Sequence, residues 1–121
     1  MDERYKWINV YIAKSAMART RILAKALSTP MRTVSHTEIW KRAIRYYLRR
    51  NGDREINENR KIGEIAVIAQ FWTDKLHWEE LQKLAKEQST DRKISVSRVF
   101  RSALDDYLGA CEQRSKKMKK I

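Results

Sequence analysis

Asn9 and Gln70 are the side chains whose type and setting first suggest recognition chemistry. Each sits in a short run alternating apolar with polar residues, Ile8-Asn9-Val10-Tyr11-Ile12 and Val67-Ile68-Ala69-Gln70-Phe71. An amide carries a donor and an acceptor side by side, so one residue can read a paired hydrogen-bonding edge. Two hydroxyl-bearing triplets, Ser35-His36-Thr37 and Ser95-Val96-Ser97, precede stretches with helical periodicity. The unpaired N–H groups and positive end of a helix start suit an anion. Catalytic groupings are missing: there is no paired-carboxylate site, nucleophile–base pair, phosphate loop or metal cluster. His36 and His77 stand alone, and Asp105-Asp106 occupy successive helical positions that point to different faces. These two aspartates read as a solvated surface. The chain is therefore expected to bind rather than catalyse, with no cofactor and no metal.

Charge narrows the partner. The 121 residues carry a net charge of +12 and a pI near 10.1, which favours a polyanion, nucleic acid before anionic membrane. Residues 1–60 hold 14 Lys/Arg against 6 Asp/Glu, and residues 61–113 hold 8 against 9. Residues 114–121 hold 5 Lys/Arg and no acid, and are expected to be a disordered basic tail. The first half and the tail are the electrostatic candidates. One cysteine, Cys111, excludes an intrachain disulfide and suits a reducing compartment. No apolar run approaches the ~18 residues of a membrane helix, and Met1-Asp2-Glu3-Arg4 lacks the apolar region of a signal peptide. A soluble, cytoplasmic protein without a membrane partner is expected.

These residues need elements to position them. Residues 6–14 predict a strand with Ile8, Val10 and Ile12 on one face and Trp7, Asn9 and Tyr11 on the other. Residues 16–27 are good helix formers, stopped by Ser28-Thr29-Pro30. Ser35 and Glu38 have capping-box spacing. Ile39, Ala43, Tyr47 and Trp40, Ile44, Leu48 then form adjacent i,i+4 rows, read as core. That helix is expected to end near Arg49-Arg50-Asn51-Gly52, with glycine as a left-handed cap. The same order returns: a strand over 65–73, a helix over 74–88 with Trp78, Leu81, Leu84 and Ala85 inward, a loop over 90–94, and a helix over 95–111.

The recurrence extends to residue types. Ser35 through Leu48 matches Ser95 through Leu108 at a spacing of sixty, and both close on Ala-(Ile/Leu)-x-x-Tyr-Leu. Leu23-Ala24-Lys25 matches Leu84-Ala85-Lys86 one residue out of step. Carried into the strands, the offset of 61 sets Asn9 against Gln70, Trp7 against Ile68, Tyr11 against Trp72 and Val10 against Phe71. The division expected is a repeat over 1–50, a linker over 51–61, a repeat over 62–113 and the tail over 114–121. A unit of about sixty residues is marginal alone, so the copies should share one core.

Strand, helix, loop and a capped Ser-x-(Ser/Thr)-x-(Ile/Val)-apolar helix, twice over, resemble the ribbon-helix-helix regulators. Most members hold one copy and dimerise. Two copies in one chain are similar to tandem regulators encoded by viruses of hyperthermophilic archaea. The resemblance covers about 95 residues and implies a mainly α fold with a short two-stranded antiparallel β-ribbon, arranged as a pseudo-symmetric tandem. It implies a transcriptional regulator on double-stranded DNA in the cell interior, and homo-oligomers of the fused unit on adjacent sites.

The physics agrees with that reading. A lone strand leaves a row of backbone groups unpaired, so each half needs the other. A two-stranded ribbon fits the major groove. There, Asn9 and Gln70 would each bind adenine through two hydrogen bonds, with Trp7, Tyr11, Ile68 and Trp72 beside them as base contacts. Ile68 departs from the polar pattern and suits a thymine methyl. Lys6 and Lys14 at the strand ends, with Ser35, His36, Thr37, Ser95, Val96 and Ser97 at the helix starts, would hold phosphates and set register. The near-neutral second half points to a contact led by the first.

Two other functions compete. One is an antitoxin-like module that neutralises a protein partner, although the segment after Cys111 is short and polar for that task. The other is a coating protein that binds nucleic acid without sequence preference. A helix-turn-helix fold would put a helix rather than a strand in the groove.

Overall fold

The computed structural model describes residues 3–50, 65–88 and 95–119. Its order is β1 (Tyr5–Ala13), α1 (Lys14–Leu27), α2 (His36–Arg49), β2 (Ala66–Asp74), α3 (Lys75–Gln88) and α4 (Val96–Lys119). The fold is mainly helical, with one two-stranded antiparallel sheet.

Alternation builds the ribbon. Ile8, Val10 and Ile12 of β1 and Ala69, Phe71 and Thr73 of β2 are buried, while the residues between them face solvent. The nine pairs run from Tyr5 opposite Asp74 to Ala13 opposite Ala66, with Asn9 facing Gln70 at the centre. A slip of one residue would turn every apolar side chain outward, so the buried face fixes this register. The ladder continues past both ends: the Lys14 N–H donates to the Ile65 carbonyl at 3.0 Å, and the Lys75 N–H to the Arg4 carbonyl at 2.8 Å. Both donors are first residues of helices, so each strand passes into its helix without a loop. The expected start of α1 at Ala16 is therefore two residues late, and Lys14 belongs to a helix rather than to a strand end.

A two-stranded sheet is marginal in water without cover. Here all four helices supply it. Rings link the elements through the core: Trp40 of α2 lies 5.2 Å from Phe71 of β2, Phe71 lies 5.5 Å from Phe100 of α4, and Phe100 lies 6.0 Å from Trp78 of α3. Phe71 and Phe100 are fully buried, each worth about 1.5–3 kcal/mol of apolar transfer. Residues before and after the middle of the chain thus share one core. Leu84 packs partly buried against it, whereas Trp78, Leu81 and Ala85 lie within it.

Caps and staples set the helix positions. The Ser35 hydroxyl accepts from the Glu38 N–H at 3.2 Å, and the Ser95 hydroxyl from the Arg98 N–H at 3.4 Å. Glu38 fills only half of the expected capping box. Its carboxylate accepts instead from Arg42 at 3.1 Å and Arg45 at 3.3 Å, one and two turns along the same helix. Between α1 and α2, the Ser28 hydroxyl donates to the Ala24 carbonyl at 2.7 Å and accepts from the Val34 N–H at 2.8 Å. Thr29 and Arg32 exchange backbone hydrogen bonds around Pro30-Met31. Thr20, fully buried, donates to the Ala16 carbonyl at 2.8 Å and accepts from the Trp40 indole at 3.4 Å.

Two expectations change at the C-terminal end. α4 runs to Lys119, eight residues past Cys111, so the basic segment continues the helix rather than forming a disordered tail. Nothing between Glu112 and Lys119 breaks a helix, and glutamate, glutamine, arginine, lysine and methionine all favour one. Asp105 is not simply solvated. Arg19 of α1 donates to it at 2.8 Å and grips Glu112 with two further bonds of 2.6 and 3.0 Å. The expected linker over 51–61, with the Gly52 cap, and the loop over 90–94 lie outside the described residues.

Candidate nucleic-acid interface

The outward face of the ribbon follows from its register. Asn9 and Gln70 lie opposite each other at its middle, Trp7 faces Trp72, and Tyr11 faces Ile68. All six side chains are exposed, Trp7 and Ile68 by 44% and Tyr11 by 59%. The neighbour of Trp7 is thus Trp72 and not its repeat counterpart Ile68, because antiparallel pairing brings counterparts together only at the centre. The two indoles are tilted by 60° with centroids 5.3 Å apart. Large apolar groups left open to water at this density mark a binding surface more often than a bare exterior.

Beside the ribbon, the start of α2 opens into a cleft of about 570 Å³. Ser35, His36 and Thr37 line it, together with Arg21 and Lys25 of α1, Trp40 and the outward residue Gln70. With the Glu38 N–H capped by Ser35, the His36 and Thr37 N–H groups remain without an intrahelical acceptor. The positive end of α2 and two cationic side chains therefore converge next to a residue of the ribbon face, an arrangement suited to phosphate. Four of the sequence-predicted residues, Ser35, His36, Thr37 and Gln70, come together here.

The others are placed separately. Ser95 is exposed at the start of α4, with Val96 and Ser97 half-buried behind it. Lys6 is exposed near the beginning of β1, and Lys14 is exposed as the first residue of α1. Nothing in the sequence marks Arg21 and Lys25 as site residues. Their spacing of four puts them on one face of α1, but only the fold shows that this face borders the start of α2. At the offset of 61 their counterparts are Gln82 and Lys86, so the second copy carries one cation fewer at those positions.

One arginine also reaches the ribbon. Arg101 of α4 donates to the Tyr11 carbonyl at 3.3 Å, which anchors the helix to the ribbon. Burial, and then the charge of Arg98, hold its guanidinium below the usual range. Within α2, partial burial pushes the Glu38 carboxyl up. The hydrogen bond from Arg42 and the charges of Arg42, Arg45 and Lys41 outweigh it, and the group ends below its ordinary value. Glu38 thus stays ionised and fixes two arginines behind the helix start.

Among the described residues no helix is long and apolar enough to cross a membrane, and no three His, Cys, Asp or Glu side chains converge in a way that would hold a metal ion. Comparison with known proteins finds no matching family model, no similar curated protein and no similar solved structure.

Proposed function

We propose that this chain is a tandem ribbon-helix-helix protein that binds double-stranded DNA in a sequence-specific way and regulates transcription from inside the cell. The observation that carries the reading is the exposed ribbon face, with Asn9 and Gln70 paired at its centre beside the basic start of α2. A ribbon of two strands matches the width of the major groove. The amides then meet base edges, while Ser35, His36, Thr37, Arg21 and Lys25 hold the backbone and fix register.

Matching element bounds support the tandem reading. β1 and β2 share bounds at an offset of 61, as do α1 and α3, and α2 and α4 begin 60 apart. The missing residue falls in the segment between helices, 28–35 in one copy and 89–95 in the other. The pair at the centre of the register, Asn9 and Gln70, is also a pair of repeat counterparts, as a two-fold axis through the ribbon requires.

Selection of bound duplexes from a random pool, at stated salt, tests the function. A defined consensus is expected, and Asn9→Ala should relax preference at a central base pair at a cost of about 1–3 kcal/mol in discrimination. Equal affinity for all duplexes would make the chain a coating protein. Unchanged affinity and preference in Asn9→Ala would remove the ribbon from the groove.

A further inference from the structure

The outward face of the ribbon is as informative for what it lacks as for what it carries. Neither strand places a lysine or arginine at an outward position. The paired donors that most often read guanine O6 and N7 are therefore missing from the face. Arg101, which reaches β1 from α4, is held at the Tyr11 carbonyl. An acidic side chain can accept from cytosine N4, but the one outward acid, Asp74, accepts from the Leu76 N–H at 2.9 Å at the start of α3. The chemistry left is two amides, flanked on one side by the Trp7–Trp72 pair with Tyr5 beyond it, and on the other by Tyr11 and Ile68.

We infer that this face recognises the C5-methyl groups of thymine, and that the preferred duplex is A·T-rich at its central steps, with the methyl supplying much of the discrimination. The inference rests on the reading of the ribbon as a major-groove element and names the class of base pair it takes. Ile68 offers only C–H surface, and an indole face offers a large apolar plane. A thymine methyl set against either leaves water together with the exposed side chain. Each methyl so buried is worth about a three- to four-fold change in affinity. The amides then select the adenine partner of those thymines. The Trp7–Trp72 side and the Tyr11–Ile68 side are not equivalent, so the two flanks of the site should differ in how strongly they depend on methyl groups.

Four duplexes of one length test this by fluorescence anisotropy: alternating dA-dT, the same duplex with dU for dT, alternating dI-dC, and alternating dI with 5-methyl-dC. Replacing dT by dU removes only the methyl, and should weaken binding about three- to four-fold for each methyl contacted. The dI-dC duplex keeps an A·T-like minor groove with a G·C-like major groove, and should bind less well than dA-dT. Methylating its cytosine should restore part of the loss. In Ile68→Ala, an exposed change that leaves the core alone, the dT-to-dU ratio should fall toward one. Equal affinity for the dT and dU duplexes overturns the inference while leaving DNA binding standing. An unchanged ratio in Ile68→Ala overturns the placement of a methyl at that residue. Failure to bind any of the four, when duplexes selected from the random pool do bind, overturns this inference alone; failure to bind those duplexes as well overturns the DNA reading, and this inference with it.

Discussion

The Tyr47 hydroxyl is buried without a hydrogen-bond partner among the described residues, although its ring completes the apolar row of α2 with Ile39 and Ala43. A buried polar atom left unpaired costs about 1–3 kcal/mol. Tyr47→Phe keeps the ring and removes the oxygen, so it should leave stability equal or raise it by up to about 1 kcal/mol. Burial, and then the charge of Asp106, push the phenol above its ordinary value of 10.0. The folded state therefore holds the proton more tightly than the unfolded chain does. That contribution is complete below about pH 10 and is lost as pH rises through the folded value. Urea melts at neutral and alkaline pH should show Tyr47→Phe losing less stability than the parent on the alkaline side. An equal loss in both would assign the alkaline sensitivity to other groups.

Between elements, the contact least visible beforehand is the one from Arg19 to Asp105 and Glu112, which joins α1 to α4 across 86 and 93 positions. Alternation at Ile8, Val10 and Ile12, and the capping serines at 35 and 95, are local patterns, so the strands and the starts of α2 and α4 are legible directly, whereas α1 follows β1 with no cap residue to mark its start. Partner choice across the fold is not local. Glu38 could have turned back to its cap or forward to Arg42, and only the packed helix decides. Arg21 and Lys25 carried no mark of the cleft because the Ser28 staple, which sets α1 against α2, is itself a tertiary feature. The end of α4 is hidden in the sequence for another reason: a run of lysines suggests disorder, although lysine is a good helix former. Because the side chains of the Arg19 network are roughly a third to a half exposed, solvent screens it. Arg19→Ala should cost at most about 1 kcal/mol, and less at high salt. Chemical denaturation at two salt concentrations measures the difference, and a salt-independent loss would mean that the arginine acts through packing of its stem.

At the scale of the molecule, the ribbon and the ring chain make the halves interdependent. Phe71 lies between Trp40 of the first half and Phe100 of the second, and every backbone pair of the sheet joins residues from different halves. Neither copy can form its strand ladder alone, and a segment of about sixty residues buries too little surface to compensate. A polypeptide of residues 1–60 should therefore lack cooperative melting at low concentration. Mixing it with residues 61–121 should restore helical signal, because the missing strand and core arrive together. The intact chain carries both halves and should unfold in one transition whose midpoint does not depend on concentration. Circular dichroism over a hundred-fold range of concentration separates these cases. A cooperative, concentration-independent melt of residues 1–60 alone would show that the shared core is not what holds the first half together. If the fragments do recombine, fusion has a functional consequence. Two halves that always meet each other, and never a second copy of themselves, can keep Arg21 with Lys25 in one and Gln82 with Lys86 in the other without forming mismatched pairs.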